Sequence, residues 1–296
     1  MENNNSRQAL KTVKHILSPQ EEHWVGNGFF VSSILSPFVI DSQDISPFLL
    51  LDHAAPKQFS PSTQSRGVGE HPHRGFETVT FAYAGEVEHR DSFGGGGIIG
   101  PGDVQWMTAA SGLVHEEMHS KEFTRQGGLF EMVQLWVNLP AKLKMISPKY
   151  QSLLDKDFPR ITLESAIARL IAGELKQQKG PAHTHTPIRV FDLHFEQDGE
   201  SRFAATPGHT LLALLRTGSV KTKNGEHARE RDIFVFDKKS EGDVVFEGSK
   251  GSSLLILEGQ ALDEPVVAHG PFVMNTTDEI RAAIRDFQSG KMGRLS

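Results

Sequence analysis

The chain contains no cysteine, and that absence removes disulfides, iron–sulfur clusters, thiolate zinc sites and a cysteine nucleophile together. Its chemistry falls to histidine, carboxylates and a metal ion. There is no block of Lys and Arg either: the formal net charge is -6 over 296 residues, so binding to nucleic acid through phosphate neutralisation is not expected. No apolar run approaches the length of a membrane span, and the opening Met1-Glu2-Asn3-Asn4-Asn5 has neither the basic nor the apolar region of an export leader. A Gly-x-Ser-x-Gly elbow is also missing, which removes the serine-hydrolase reading. These absences predict a cytoplasmic protein whose partners are small molecules or other proteins, with no direct nucleic acid and no membrane.

Histidine supplies the strongest positive signal. His71-Pro72-His73 and, about forty residues later, His115-Glu116-Glu117 form two alternating pairs. Successive side chains of a strand point to opposite faces, so His71 shares a face with His73, and His115 with Glu117. Two such pairs on neighbouring strands can converge on one ion. Three imidazoles and a carboxylate suit iron, copper, zinc, manganese, cobalt or nickel, and they leave octahedral positions open, as catalysis requires and a structural zinc does not.

Around these pairs the chain reads as short strands bounded by Gly, Pro, Ser or Asp: residues 28–35, 48–52, 78–83, 102–107, 132–138, 189–195, 211–216, 233–236 and 253–258. That pattern predicts an all-β sandwich or barrel. Residues 148–154 read as a helical interlude, and 163–170 as either helix or strand. Near the end, Thr276 and Glu279 form a capping box ahead of Ile280, Ile284 and Phe287, which predicts an amphipathic helix ending at Gly290. Two echoes suggest a duplicated barrel. Ala84-Gly85-Glu86-Val87 matches Thr217-Gly218-Ser219-Val220, and Pro101-Gly102-Asp103-Val104 matches Glu241-Gly242-Asp243-Val244. Those offsets carry His71 and His73 onto Ala204 and Thr206, and His115 and Glu117 onto Leu255 and Leu257. A second barrel without a metal site follows.

Longer strings carry a family resemblance. His71-Pro72-His73-Arg74-Gly75-Phe76-Glu77-Thr78-Val79, Gly102-Asp103-Val104-Gln105-Trp106-Met107-Thr108-Ala109, Gln134-Leu135-Trp136-Val137-Asn138-Leu139 and His269-Gly270-Pro271-Phe272-Val273-Met274-Asn275 closely resemble the pirin family of the cupin superfamily. The resemblance implies a bicupin: two antiparallel double-stranded β-helix barrels packed face to face, with a C-terminal helix. The expected divisions are 1–145 for the metal-bearing barrel, 146–275 for the metal-free one, and 276–296 for the helix and tail. It implies one divalent ion, usually Fe(II), on His71, His73, His115 and Glu117. The general cupin pattern would instead make Glu77 a ligand, so Glu77 stands beside Glu117 as a candidate catalytic base. Strand alternation turns Glu116 away, and Ala110 occupies a turn position where many cupins carry proline.

The resemblance further implies a dioxygenase that cleaves flavonols such as quercetin with dioxygen and expels carbon monoxide. It also implies an alternative, a metal- or redox-dependent interaction protein that regulates a transcription factor or metabolic enzyme. The residues 94–97, all glycine, read as a loop at the barrel mouth, since no Lys-Ser/Thr follows as in a phosphate cradle. Asp91 is placed to cap that loop, and His89 alternates with it. His53 and His119 are candidates for orienting a ligand imidazole, whereas His183 and His185 read as loop residues. Phe76, Trp106, Met107, Met132, Gln134 and Trp136 are candidate walls for a planar substrate.

Overall fold

The computed structural model describes residues 9–295, so residues 1–5, read above against a leader, lie outside it. Strands dominate, as expected, and they build two compact units, with a C-terminal helix. One compact unit gathers Gln20–Ser42, Pro47–Asp157 and Leu262–Ser296; the other gathers the segment ending at Pro19 with Gln43–Ser46 and Phe158–Ala261. These divisions differ from the expected 1–145, 146–275 and 276–296. The strand Val13–Leu17 pairs with Ile233–Phe236, while Val267–His269, Phe272–Met274 and the helix Thr277–Gln288 cluster with the first unit. Sheet pairing is non-local, and a linear division of the sequence cannot anticipate such exchanges.

In the unit that carries the histidine pairs, a seven-stranded sheet runs in the order Lys149–Leu153, Val104–Thr108, Phe76–Ala84, Gly128–Asn138, Phe48–Phe59, Phe29–Leu35 and His23–Val25. The four-stranded sheet is Gly67–His73, Leu113–His119, Val87–Asp91 and Gly96–Ile99. The segment Phe-Glu-Thr-Val-Thr-Phe-Ala-Tyr-Ala forms a central strand because β-branched and aromatic side chains fit a pleated surface. Residues Phe76 to Ala82 are buried on both faces. Residues 148–154, expected to be helical, contain the strand Lys149–Leu153, paired with Val104–Thr108. Alternation of Tyr150 and Ser152 against Gln151 and Leu153 fits a strand at the sheet edge. The segment 163–170, open between helix and strand, is strand: Ala166–Ala172 pairs with Arg160–Leu163 as a hairpin.

The C-terminal helix is close to its expectation. Thr276 caps it reciprocally with Glu279, and Ile280 and Ala283 pack with Val114, Phe272, Met274 and Met292. Phe287, expected on the apolar stripe, is 40% exposed.

In the second unit, Ile233–Phe236, Thr210–Thr217, Ser253–Gly259 and Ile188–Phe195 are consecutive in a seven-stranded sheet. The same order in the first unit is Val104–Thr108, Phe76–Ala84, Gly128–Asn138 and Phe48–Phe59. The Gly85 and Gly218 turns are therefore equivalent, each leading from a long strand to a short one. The second echo is not. Asp103 precedes Val104–Thr108, whose counterpart is Ile233–Phe236, whereas Asp243 opens Asp243–Gly248, the counterpart of the His115 strand. A Gly-Asp turn before a strand is common turn chemistry and marks no particular strand. The counterpart of the histidine ladder is thus the pairing of Gly199–Ala204 with Asp243–Gly248, not a set containing Leu255 and Leu257. There Phe203, Val244 and Phe246 belong to a buried apolar cluster with Phe191, Phe234 and Phe236.

Candidate metal centre

The Gly67–His73 and Leu113–His119 strands pair antiparallel, with His71 directly opposite His115. The register then shifts, so that Glu117 faces Val68. Such a bulge bends the strand and re-aims its side chains. On the other side of the Leu113–His119 strand, Asp91 faces His115 and His89 faces Glu117. His71, His73, His89, Asp91, His115 and Glu117 thus share one face of a four-stranded sheet.

The three imidazoles of the sequence prediction converge. Ring centroids are 4.2 Å apart for His71 and His115, 4.8 Å for His71 and His73, and 4.9 Å for His73 and His115. A donor atom from each lies within 4.8 Å of the others, and a second such trio is His89, His115 and Glu117. His115 is common to both. Burial, reinforced by the neighbouring His71, lowers His73 to about 3. Burial and the adjacent His73, His71 and His89 hold His115 well below the ordinary imidazole range. Both are neutral at physiological pH, the state in which an imidazole binds a metal. The His115 Nε2 is buried without a hydrogen-bond partner. A buried polar atom left unpaired is costly, and a metal ion is the partner this donor set fits. The cluster is compatible with one ion.

Glu117 is 7% exposed and held by its Oε1, which accepts from Gln105 Nε2 at 2.5 Å and Thr80 Oγ1 at 3.1 Å. Gln105 Nε2 also donates to Thr80 Oγ1 at 2.9 Å, and Thr80 Oγ1 lies 2.6 Å from Gln134 Oε1. Sequence reasoning missed Thr80, Gln105 and Tyr150. The available signal was polarity at alternate positions of otherwise apolar strands. Phe76 and Trp136, rings 4.3 Å apart, stand 5.1 Å and 5.3 Å from the His73 ring and form an aromatic wall. His71 is partly exposed and forms the open side.

Other candidates fall elsewhere. Glu77 lies on the face of its strand that carries Val79 and Phe81, opposite to the face of Phe76 and Thr80 that borders the centre. Its Oε1 accepts from Thr108 at 2.7 Å, and burial raises it to about 7. It joins neither histidine trio, so strand parity removes the candidate base Glu77. Trp106 shares that opposite face by the same alternation. Glu116 pairs outside with Arg90, as expected. His53 is bonded to Glu131 at 3.3 Å. His119 sits among Phe29, Phe59, Phe123 and Phe130, with Nε2 against the Gly28 carbonyl at 2.9 Å. Neither belongs to a histidine trio. The His183 and His185 rings lie 5.3 Å apart in the loop before Ile188–Phe195. Ala110 has φ 42, which proline, locked near −65°, cannot adopt.

Two cupin units, one bearing a cluster of imidazoles with a carboxylate beside it, define a metal-binding bicupin. The chain belongs to the pirin family: the Pirin family model matches residues 33–137, and the Pirin C-terminal cupin domain matches 190–293. It is 48% identical over 287 residues, 96% of this chain and 99% of the other, to a Pseudomonas aeruginosa protein named "Putative quercetin 2,3-dioxygenase PA2418". It is 36% identical over 255 residues to Pirin of Mus musculus, covering 85% of this chain and 84% of that one. Among solved structures, quercetin 2,3-dioxygenase from Acinetobacter baumannii matches with a TM-score of 0.93 and 46% identity, over 97% of this chain and 100% of that one.

Proposed function

We propose that the protein is an iron(II)-dependent dioxygenase that cleaves flavonols such as quercetin, with the ion held by His71, His73, His115 and Glu117. The observation that carries this reading is the buried, unpartnered His115 Nε2 beside two further imidazoles. The names of the Pseudomonas and Acinetobacter relatives support the reaction class. A bound divalent ion would supply Lewis-acid stabilisation of the substrate's deprotonated 3-hydroxyl.

The remaining work belongs to the chain. Gln105 and Thr80 tie down one oxygen of Glu117, which leaves the other to take the 3-hydroxyl proton. Trp136, half-buried and packed on the fully buried Phe76, offers flat apolar surface to a planar ring. The partly exposed His71 edge admits the substrate.

The test is dioxygen uptake by anaerobically iron-loaded protein mixed with quercetin. Uptake with flavonol loss and matching carbon monoxide release is expected, with none in His73→Ala and most lost in Glu117→Gln together with much of the metal. Full turnover by Glu117→Gln would overturn its assignment. No uptake despite bound iron would overturn the dioxygenase and leave the alternative, an interaction protein whose docking surface responds to the metal.

A further inference from the structure

All three imidazoles must turn an unprotonated nitrogen toward one point, and the partner of the opposite nitrogen decides whether they do. His71 Nδ1 lies 2.8 Å from the Gly69 carbonyl, and His73 Nδ1 lies 3.4 Å from the Pro271 carbonyl. A carbonyl only accepts, so each Nδ1 carries the proton and each Nε2 keeps its lone pair. His115 has no carbonyl in that role. Its Nδ1 lies 3.3 Å from His89 Nδ1, and a neutral imidazole nitrogen can donate or accept. That contact alone leaves the His115 tautomer undecided.

The decision is made one residue further out. His89 Nε2 lies 3.3 Å from Asp91 Oδ2. A carboxylate accepts, so with one proton on the His89 ring its Nε2 donates and its Nδ1 is the acceptor; His115 Nδ1 must then donate, and its Nε2 is bare. We propose that His89 and Asp91 are positioning residues that lock His115 in its ligating tautomer, relayed from Asp91 through His89. This rests on the reading of His115 as a ligand.

The surroundings hold the relay still. His89 is fully buried and stacks on Tyr150, rings 4.8 Å apart and inclined by 13°. The Asp91 Oδ1 accepts from the Phe93 N–H at 2.8 Å and the Gly95 N–H at 2.9 Å, which aims Oδ2 at His89. A Cβ on Gly95 would lie 2.3 Å from that Oδ2. The glycine loop can therefore close on the carboxylate only because this position lacks a side chain.

Asp91→Asn is a near-isosteric test. Its Oδ1 can keep both loop bonds while its amide donates to His89 Nε2, which inverts every proton along the relay and leaves His115 Nε2 protonated. The readouts are long-range proton–nitrogen NMR spectra of the metal-free protein and Zn²⁺ affinity by chelator competition. His115 is expected as the Nδ1–H tautomer in the unaltered chain and as Nε2–H in Asp91→Asn, with Zn²⁺ binding weaker by roughly 10–100-fold and little change in melting temperature. His89→Leu should lose a similar factor, Asp91→Asn should add nothing in that background, and His89→Gln, which can both accept and donate, should recover most of it.

A Nε2–H tautomer of His115 in the unaltered chain would overturn the proposal without any variant. So would an unchanged tautomer and affinity in Asp91→Asn. A His89→Gln variant as weak as His89→Leu would make His89 a ligand itself, within its trio with His115 and Glu117. If the unaltered chain took up no Zn²⁺ while His115 was Nδ1–H, the metal-centre reading would fail and the relay would stand.

Discussion

Glu77 shows how one step along a strand separates two fates. It lies three residues before Thr80, which reaches Glu117, yet it points to the opposite face, where burial raises its carboxyl from 4.5 to about 7. The native chain therefore holds a proton that the unfolded chain releases between those values, so this contribution to stability is complete below pH 4.5 and is lost as pH rises through 7. Glu77→Gln mimics the protonated form and should not pay that loss. Urea unfolding in the presence of chelator is expected to show the variant gaining on the unaltered chain by on the order of 3 kcal/mol between pH 5 and pH 8. A difference that stays constant with pH would show that Glu77 titrates normally. The buried Lys144 is a contrasting case: its Nζ donates to the carbonyls of Gly75 and Val273 and to Asn138 Oδ1, at 2.6, 3.0 and 2.6 Å. Both residues look like ordinary charged positions in the sequence, because burial is a property of neighbours.

Among the elements, the C-terminal segment completes the histidine loop. Arg74, next to His73, bonds to Asp286 of the helix at 3.0 Å, and its N–H donates to the Pro271 carbonyl, while the Val273 N–H donates to the Arg74 carbonyl. Gly75 follows at φ 91, and a Cβ there would lie 1.9 Å from the Val273 carbonyl oxygen. The strand can pass only over a glycine. Thr276→Ala removes the hydroxyl that accepts from the Glu279 N–H and should cost about 1 kcal/mol. Chemical denaturation of the metal-free protein measures it, and an unchanged midpoint would mean the helix is held by its apolar contacts alone. This helix and the longer sheet strands, such as Phe76–Ala84 and Gly128–Asn138, were legible, since capping and alternation are local. The strand at Lys149–Leu153 was not, because its five residues have a periodicity too short to separate from a helical turn; only pairing with Val104–Thr108 decides it.

For the whole molecule, ligand binding and folding are linked. An ion that binds the folded centre and not the unfolded chain, at a free concentration 100 times its Kd, should add about 2.7 kcal/mol. Calorimetry is expected to show a melting temperature that rises with iron(II) or Zn²⁺, falls back on adding chelator, and does not respond in His73→Ala. Metal-independent melting of the unaltered chain would exclude a tight site. The sequence by itself pointed to the three imidazoles that converge and to the all-β class, because spacing, alternation and long family-specific strings are written residue by residue. It also showed that cysteine chemistry was excluded. The tertiary structure decided what depends on strands meeting: that Glu77 faces away while His89 and Asp91 stand behind His115, and that the N-terminal strand and C-terminal helix cluster with units distant in sequence. Those outcomes follow from register and burial, which arise only when segments far apart in the chain pair and exclude water.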